Sequence, residues 1–250
     1  MKKTLVLLLS LFLMLSLPVF LVSCAKKDDS VKLGLGIYSA SEGDSSASVI
    51  KNGKTTYAHT VAAVLLDREG KILKCKLDVA EVSLSYSADG KYVPESEYKT
   101  KGELGDAYNM KKGGAKLEWY EQRDAFCKTV EGKTLSDVKA LVVGEGKGND
   151  AVTSAGCTIV IDEFVRAIDK AVNNAKPVGV DTSSAITLSI STTASGKNAS
   201  ESEVGNASAK TVATLSVSGS EEKLSEEASF AVNFDAKGIL KPDEEKMTKN

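Results

Sequence analysis

Histidine is almost absent from these 250 residues, with His59 standing alone. One imidazole cannot supply a multi-histidine zinc site, and it leaves little room for Ser-His-Asp or Cys-His catalysis. Charge of one sign is also missing. The 32 Lys and Arg face 34 Asp and Glu for a net of −2, so there is no basic field for nucleic acid. Only 4 prolines and 6% aromatics are present, which rules out proline-rich and collagen-like chains. What is there is ordinary: 42% hydrophobic residues, 20 glycines and 26% charged residues describe a globular chain rather than a disordered one.

Cysteine is scarce and spaced without any CxxC pair. Beyond Cys24 there remain Cys75, Cys127 and Cys157, an odd set that implies neither a disulfide framework nor a metal site. Cys75 alternates with Leu73, Leu77 and Val79 on the inward side of a strand pattern, and Cys127 lies on a helical apolar stripe. Both read as small buried hydrophobes.

The N-terminus has the marks of a processed signal. Lys2 and Lys3 precede an apolar run from Leu5 to Phe20, and Pro18 together with the switch to Ala25-Lys26-Lys27-Asp28-Asp29 argues against a membrane-spanning helix. Leu21-Val22-Ser23-Cys24 resembles the lipobox of bacterial lipoproteins. That resemblance implies a signal peptide over 1–23, acylation of Cys24, and a lipidated tether over 24–32.

Periodicity then predicts an α+β fold. Val61–Leu66 and Lys71–Val79 flank the turn Asp67-Arg68-Glu69-Gly70, and Val82, Leu84 and Tyr86 continue the alternation up to the turn Ala88-Asp89-Gly90. Trp119, Tyr120, Arg123, Phe126, Cys127 and Val130 fall on one helix face that Gly132 ends. Thr134 is placed to cap a short helix around Asp137–Leu141. Phe164, Val165, Ile168, Ala171, Val172 and Ala175 form the clearest helical stripe, with Asp162 and Glu163 at its positive end and Pro177 beyond its last turn. The expected architecture is an antiparallel meander packed with three helices, followed by a β-rich partial repeat.

Residues 177–229 contain no Phe, Tyr or Trp, yet Ile186, Leu188 and Ile190 alternate with polar residues, as do Phe230, Val232 and Phe234. Val212 and Thr214 continue into Leu215 and Val217 only with a one-residue slip, and polar strands are the expectation. Thr60-Val61-Ala62 matches Thr211-Val212-Ala213, and Ser85–Gly90 parallels Asn233–Gly238. These matches predict that 177–250 is a truncated second copy of the first meander.

Four stretches in order resemble the FMN-binding domain family, found in flavin subunits of ion-pumping quinone oxidoreductases and in flavin-bearing surface lipoproteins. They are the hairpin TVAAVLLDREGKILKCKL (60–77), KTKGELGDAYNM (99–110), EWYEQRDAFCKTVEGKTL (118–135) and NDAVTSAGCTIVIDEFVRAIDKAV (149–172). The resemblance covers residues 33–176. It implies a cofactor site drawing on Leu104, Gly105 and Tyr108 from the second stretch and on Thr153, Ser154, Ala155 and Thr158 from the fourth. The family's flavin-bearing hydroxyl follows an Asp-x-x-Ser/Thr-small-Ala run, filled here by Asp150 to Ala155, but the acceptor place holds Gly156. Glycine carries no nucleophile, so any FMN is expected to be non-covalent.

From the residues alone, Thr153, Ser154 and Thr158 are either a phosphate-holding turn or an ordinary Ser/Thr turn entering a strand. Trp119, Tyr120 and Tyr108 are either stacking partners or core. Arg123 either meets an anion or snorkels at the edge of its stripe. The functional expectation is a lipid-anchored protein on the extracytoplasmic face of the cell membrane, holding FMN for electron transfer with a membrane quinone-linked partner. It is expected to be a carrier rather than an enzyme, with no metal. The alternative is a non-redox surface binding module on the same fold that has lost its flavin.

Overall fold

The computed structural model describes residues 31–241 of the chain. The expected signal peptide, Cys24 and the tether up to residue 30 lie outside the described residues, as does 242–250 of the second segment. The fold is α+β, as the periodicity predicts.

Three long strands open it: β1 (Lys32–Ser45), β2 (Gly53–Leu66) and β3 (Ile72–Tyr86), followed by the short β4 (Tyr92–Val93). They pair antiparallel in chain order, and the turn at Asp67–Gly70 closes the second hairpin, with the Asp67 carboxylate accepting from the Glu69 and Lys71 backbones. β3 is one continuous strand through Val79–Val82.

Helices follow: α1 (Lys101–Leu104), α2 (Trp119–Val130) and α3 (Leu135–Lys139). A small hairpin, β5 (Val142–Val143) with β6 (Lys147–Gly148), leads to α4 (Asp150–Ser154) and α5 (Asp162–Asn173). Thr134 caps α3 as expected, in a reciprocal box with Asp137. β7 (Lys176–Pro177) then returns to pair with the first residues of β1.

β1 carries no hydrophobic signal over its second half and is absent from the expectations above. Its physical basis is close backbone approach to α5. A Cβ added at Gly34 would lie 2.0 Å from the Ala171 carbonyl oxygen, and one at Gly36 would lie 2.5 Å from the Ala171 nitrogen. Two glycines on the strand face let the small-residue stripe of α5 sit directly on it. Lys170 Nζ and Asn174 Nδ2 also donate to the Ile37 and Leu35 carbonyls, covering part of an edge that β7 leaves open.

The remaining strands, β8 (Ile186–Lys197), β9 (Gly205–Val217), β10 (Lys223–Phe234) and β11 (Leu240–Lys241), form a second antiparallel sheet of order β11-β10-β9-β8. It packs face to face on the meander. Leu33, Leu35, Val61, Ala63 and Leu65 meet Ala213, Leu215 and Val217 at one end, while Val82, Leu84 and Tyr86 meet Ala207, Phe230 and Phe234 at the other. The opposite face of the meander buries Ala62, Val64 and Leu77 against Phe126, Phe164 and Ile168 of the helices. β9 pairs on both sides without a register shift, so the expected slip at Leu215 does not occur. Instead Thr211, Ala213, Leu215 and Val217 all point inward and Val212 outward.

The two sheets contact each other reciprocally. Gly53 pairs with Tyr86 and Gly205 with Phe234. Tyr86 and Phe234 stack on one another, centroids 4.8 Å apart and 8° from parallel. Ala47 N–H donates to the Gly238 carbonyl at 2.8 Å, and Ala199 N–H to the Gly90 carbonyl at 2.7 Å. The turns at Ser85–Gly90 and Asn233–Gly238 therefore occupy corresponding places. The triplets at Thr60 and Thr211 do not: Thr60 faces the helices, with its hydroxyl on Glu163, whereas Thr211 faces the other sheet. That sequence match is one residue out of structural register.

Candidate functional site

A cleft of about 310 Å³ opens between the meander and the helices. Three of the four stretches that carry the family resemblance supply its walls: Lys101, Tyr108 and Met110 from the second, Trp119 from the third, and Ile159, Val160, Glu163 and Phe164 from the fourth. Ala58 and Val79, which flank the first, form its base, with Glu42 at the rim. Trp119 is nearly buried and meets Phe164 edge-on at 5.9 Å and Tyr108 at 6.5 Å.

The local sequence explains how the walls are held. Thr100-Lys101-Gly102-Glu103 is a capping box in which Thr100 and Glu103 satisfy one another's backbone donors, fixing Lys101 as the first residue of α1. Asp78 on β3 accepts from the Thr100 hydroxyl at 2.7 Å and from Gly102 N–H at 2.9 Å, tying α1 to the sheet. The loop between Tyr108 and α2 is latched by two buried residues. Glu118 accepts from the Met110 and Lys111 N–H groups, and Gln122 Nε2 donates to the Leu117 carbonyl. The Gln122 Oε1 also accepts from both the N–H and the hydroxyl of Thr158, at 2.9 and 3.0 Å. Its Nε2 also reaches the Met110 sulfur at 3.9 Å, so Gln122 joins the second, third and fourth stretches.

Lys101 lies 5.2 Å from the Tyr108 ring centroid and 3.3 Å from the Glu81 carboxylate. Burial alone would pull its ammonium down, but Tyr108 and Glu81 outweigh burial and hold it above its ordinary value. Burial pushes the Glu163 carboxyl up, partly offset by the hydrogen bond from Thr60. The cleft therefore combines three aromatic rings and a thioether with one persistent cation and a carboxyl that holds its proton more readily than usual.

Of the residues implied by the resemblance, Tyr108 lines this cleft and Thr158 adjoins its wall at Ile159. Leu104 and Gly105 sit at the end of α1 and carry the chain toward Tyr108. Thr153, Ser154 and Ala155 are exposed on α4 and its cap. That segment is a helix rather than a turn entering a strand, and beyond it only a bridge between Lys147 and Val160 forms. Gly156 closes α4: its N–H donates to Thr153 O while Cys157 N–H donates to Val152 O, with Gly156 at φ +107°. This double bond pattern is a Schellman cap.

The arrangement bears directly on the expected phosphate turn. The Thr153 hydroxyl is spent on the Asn149 and Asp150 carbonyls, Thr158 is spent on Gln122, and α4 presents its carbonyl end to this region. Arg123 lies outside the cleft, 5.4 Å from the Trp119 ring centroid, with its guanidinium bonded to Asp124. Sequence reasoning singled out neither Lys101 nor Gln122. The Thr-x-x-Glu signature at Thr100–Glu103 marks the first, and no local pattern marks the second. Among the described residues no cluster of His, Cys, Asp and Glu is arranged for a metal ion, and no helix is long and apolar enough to cross a membrane.

No protein-family profile matches the chain, and no solved structure matches it. Over 94 residues it is 32% identical to the chlorophenol reductase of Desulfitobacterium hafniense, a stretch that takes in 32% of this chain and 29% of that protein. The chain is thus similar to part of a protein named as a reductase, and the match spans less than a third of that relative's length.

Proposed function

We propose that this chain is a lipid-anchored extracytoplasmic protein whose α+β domain holds FMN non-covalently in the Tyr108–Trp119–Phe164 cleft. The flavin would exchange electrons with a membrane quinone-linked partner. The observation that carries this reading is convergence: three separated stretches that resemble one flavin-binding family line a single cleft. The similarity to part of a reductase points the same way.

The residues suit the ring system better than the phosphate. Three aromatics and Met110 offer the apolar, stacking surface that isoalloxazine requires, and about 310 Å³ is at the small end for a ligand cleft. Among the described residues Lys101 is the one cation on its walls, so it is the residue that would receive the phosphate or the reduced ring's negative charge. When bound, FMN supplies the redox chemistry; the chain's own part is to exclude water with Trp119 and Phe164 and to set local charge through Lys101 and Glu163. A non-redox binding module remains the second reading, favoured by a glycine cap where the family has its flavin-bearing hydroxyl.

Titrating FMN into the purified chain tests the pocket. Saturable quenching of flavin fluorescence is expected, weakened by roughly tenfold in Lys101→Met through loss of one charge-assisted contact. Free FMN fluorescence at all protein concentrations contradicts the reading. The anchor is tested separately: Cys24→Ser is expected to release the chain from membranes or leave it unprocessed.

A further inference from the structure

Val49 and Ile50 are 98% and 95% exposed, the most exposed large hydrophobic residues among those described. They occupy the two central places of the turn joining β1 to β2. Ser48 and Lys51 close that turn by exchanging both backbone hydrogen bonds, at 2.8 and 3.2 Å. The pair is therefore held out on a rigid protrusion and packs against nothing.

The molecule contains its own control for whether the fold needs this. The loop joining β8 to β9 is closed on a related plan: Ser200 N–H donates to the Glu203 carbonyl at 2.8 Å, Glu203 N–H returns to the Ser200 hydroxyl rather than to its carbonyl, and Ala199 makes the bond to Gly90 that corresponds to the bond of Ala47 to Gly238. At the two places equivalent to Val49 and Ile50 that loop carries Glu201 and Ser202. A loop at the corresponding place closes with polar residues at its tip, so folding does not explain two fully hydrated β-branched side chains.

We propose that the Val49–Ile50 tip is a membrane-docking element that inserts into the interface of an anionic lipid bilayer. Lys51 and Lys54, both exposed, flank the apolar pair, and Asp89 in the neighbouring turn is paired with Lys91 at 2.6 Å. Glu42 and Asp44 lie farther back along the hairpin, behind Lys54. Apolar side chains at a convex point with lysines behind them match the charge and polarity profile of an anionic bilayer surface. A fluid phase also accepts a protrusion of any shape, whereas a protein partner needs a complementary face that two unpacked side chains do not present. β1 runs from the end where the described chain begins to this tip. A chain also held at Cys24 would therefore rest with that strand along the bilayer.

The test places an environment-sensitive fluorophore on Ile50→Cys and, separately, on Ser202→Cys, in the full chain reconstituted into phosphatidylcholine–phosphatidylglycerol vesicles. Cys75, Cys127 and Cys157 are buried, and wild-type chain serves as the labelling blank for any Cys24 thiol that is not acylated. Docking predicts a blue shift and quenching by lipid-borne spin labels at position 50, an aqueous signal at 202, and loss of the shift when Lys51→Glu and Lys54→Glu are added. Equal aqueous signals at both positions overturn the proposal. A shift at 50 that appears without lipid and grows with protein concentration also overturns it, assigning the tip to a second copy of the chain.

Discussion

Gly156 shows how one residue can decide two things at once. One residue past the C-cap of α4 it takes φ +107°, and a Cβ there would lie 3.1 Å from Leu117 Cδ1. Gly156→Thr, the change that restores a hydroxyl to the acceptor place, is therefore expected to cost about 1–3 kcal/mol, read as a lower urea midpoint at unchanged slope. An unchanged midpoint would show that the cap tolerates a side chain. The sequence makes the missing hydroxyl plain but is silent on the cap, because the Schellman bonds depend on a helix of five residues too short to show a period. His59 is the second case. It is 1% exposed, with Nδ1 on the Ser39 hydroxyl and Nε2 without a partner among the described residues, and burial lowers its pKa from 6.5 to about 4. The unfolded chain takes up the proton first, so the stability tied to the neutral ring is complete above pH 6.5 and is lost as pH falls toward 4. The loss amounts to about 3 kcal/mol at most. His59→Phe is expected to flatten that limb of the stability–pH curve, and an identical slope in both proteins would remove His59 as its source.

At the scale of elements, legibility follows how each one makes its contacts. α2 and α5 bury a regular stripe of their own side chains, and both are evident from spacing. β1 and the Gln122 latch are not. β1 is built on absent side chains, Gly34 and Gly36, that admit the backbone of α5, and absence carries no hydrophobic period. Gln122 is hydrogen-bonded to residues 5 and 36 positions away that no local pattern links to it. Gly34→Ala tests this view of β1. The new methyl would lie 2.0 Å from a backbone carbonyl oxygen, so strand and helix must part, and a loss of about 3 kcal/mol in thermal or urea unfolding is expected. A change within about 0.5 kcal/mol would mean that α5 can shift freely on the sheet.

At the scale of the molecule, two sheets meet through reciprocal bonds at Ala47, Gly90, Ala199 and Gly238; among the described residues the helices pack on the first, while β8 of the second lines a polar groove with Asp78, Thr100 and Arg123. The outward face of the second is polar, with Thr187, Ser189, Ser191, Thr214 and Ser225 exposed, so it is solvated where the first sheet is covered. We propose that the second sheet is a partial repeat that closes the core of the first, leaving chemistry to the helical side. The helical side is proposed to hold flavin without a covalent bond. The most direct measurement is the visible spectrum of the chain extracted from washed membranes, recorded before and after denaturation and filtration. A flavin spectrum that passes entirely into the filtrate is expected of a non-covalent site. A colourless chain that takes up no FMN, or a yellow colour that stays with the denatured polypeptide, would contradict it.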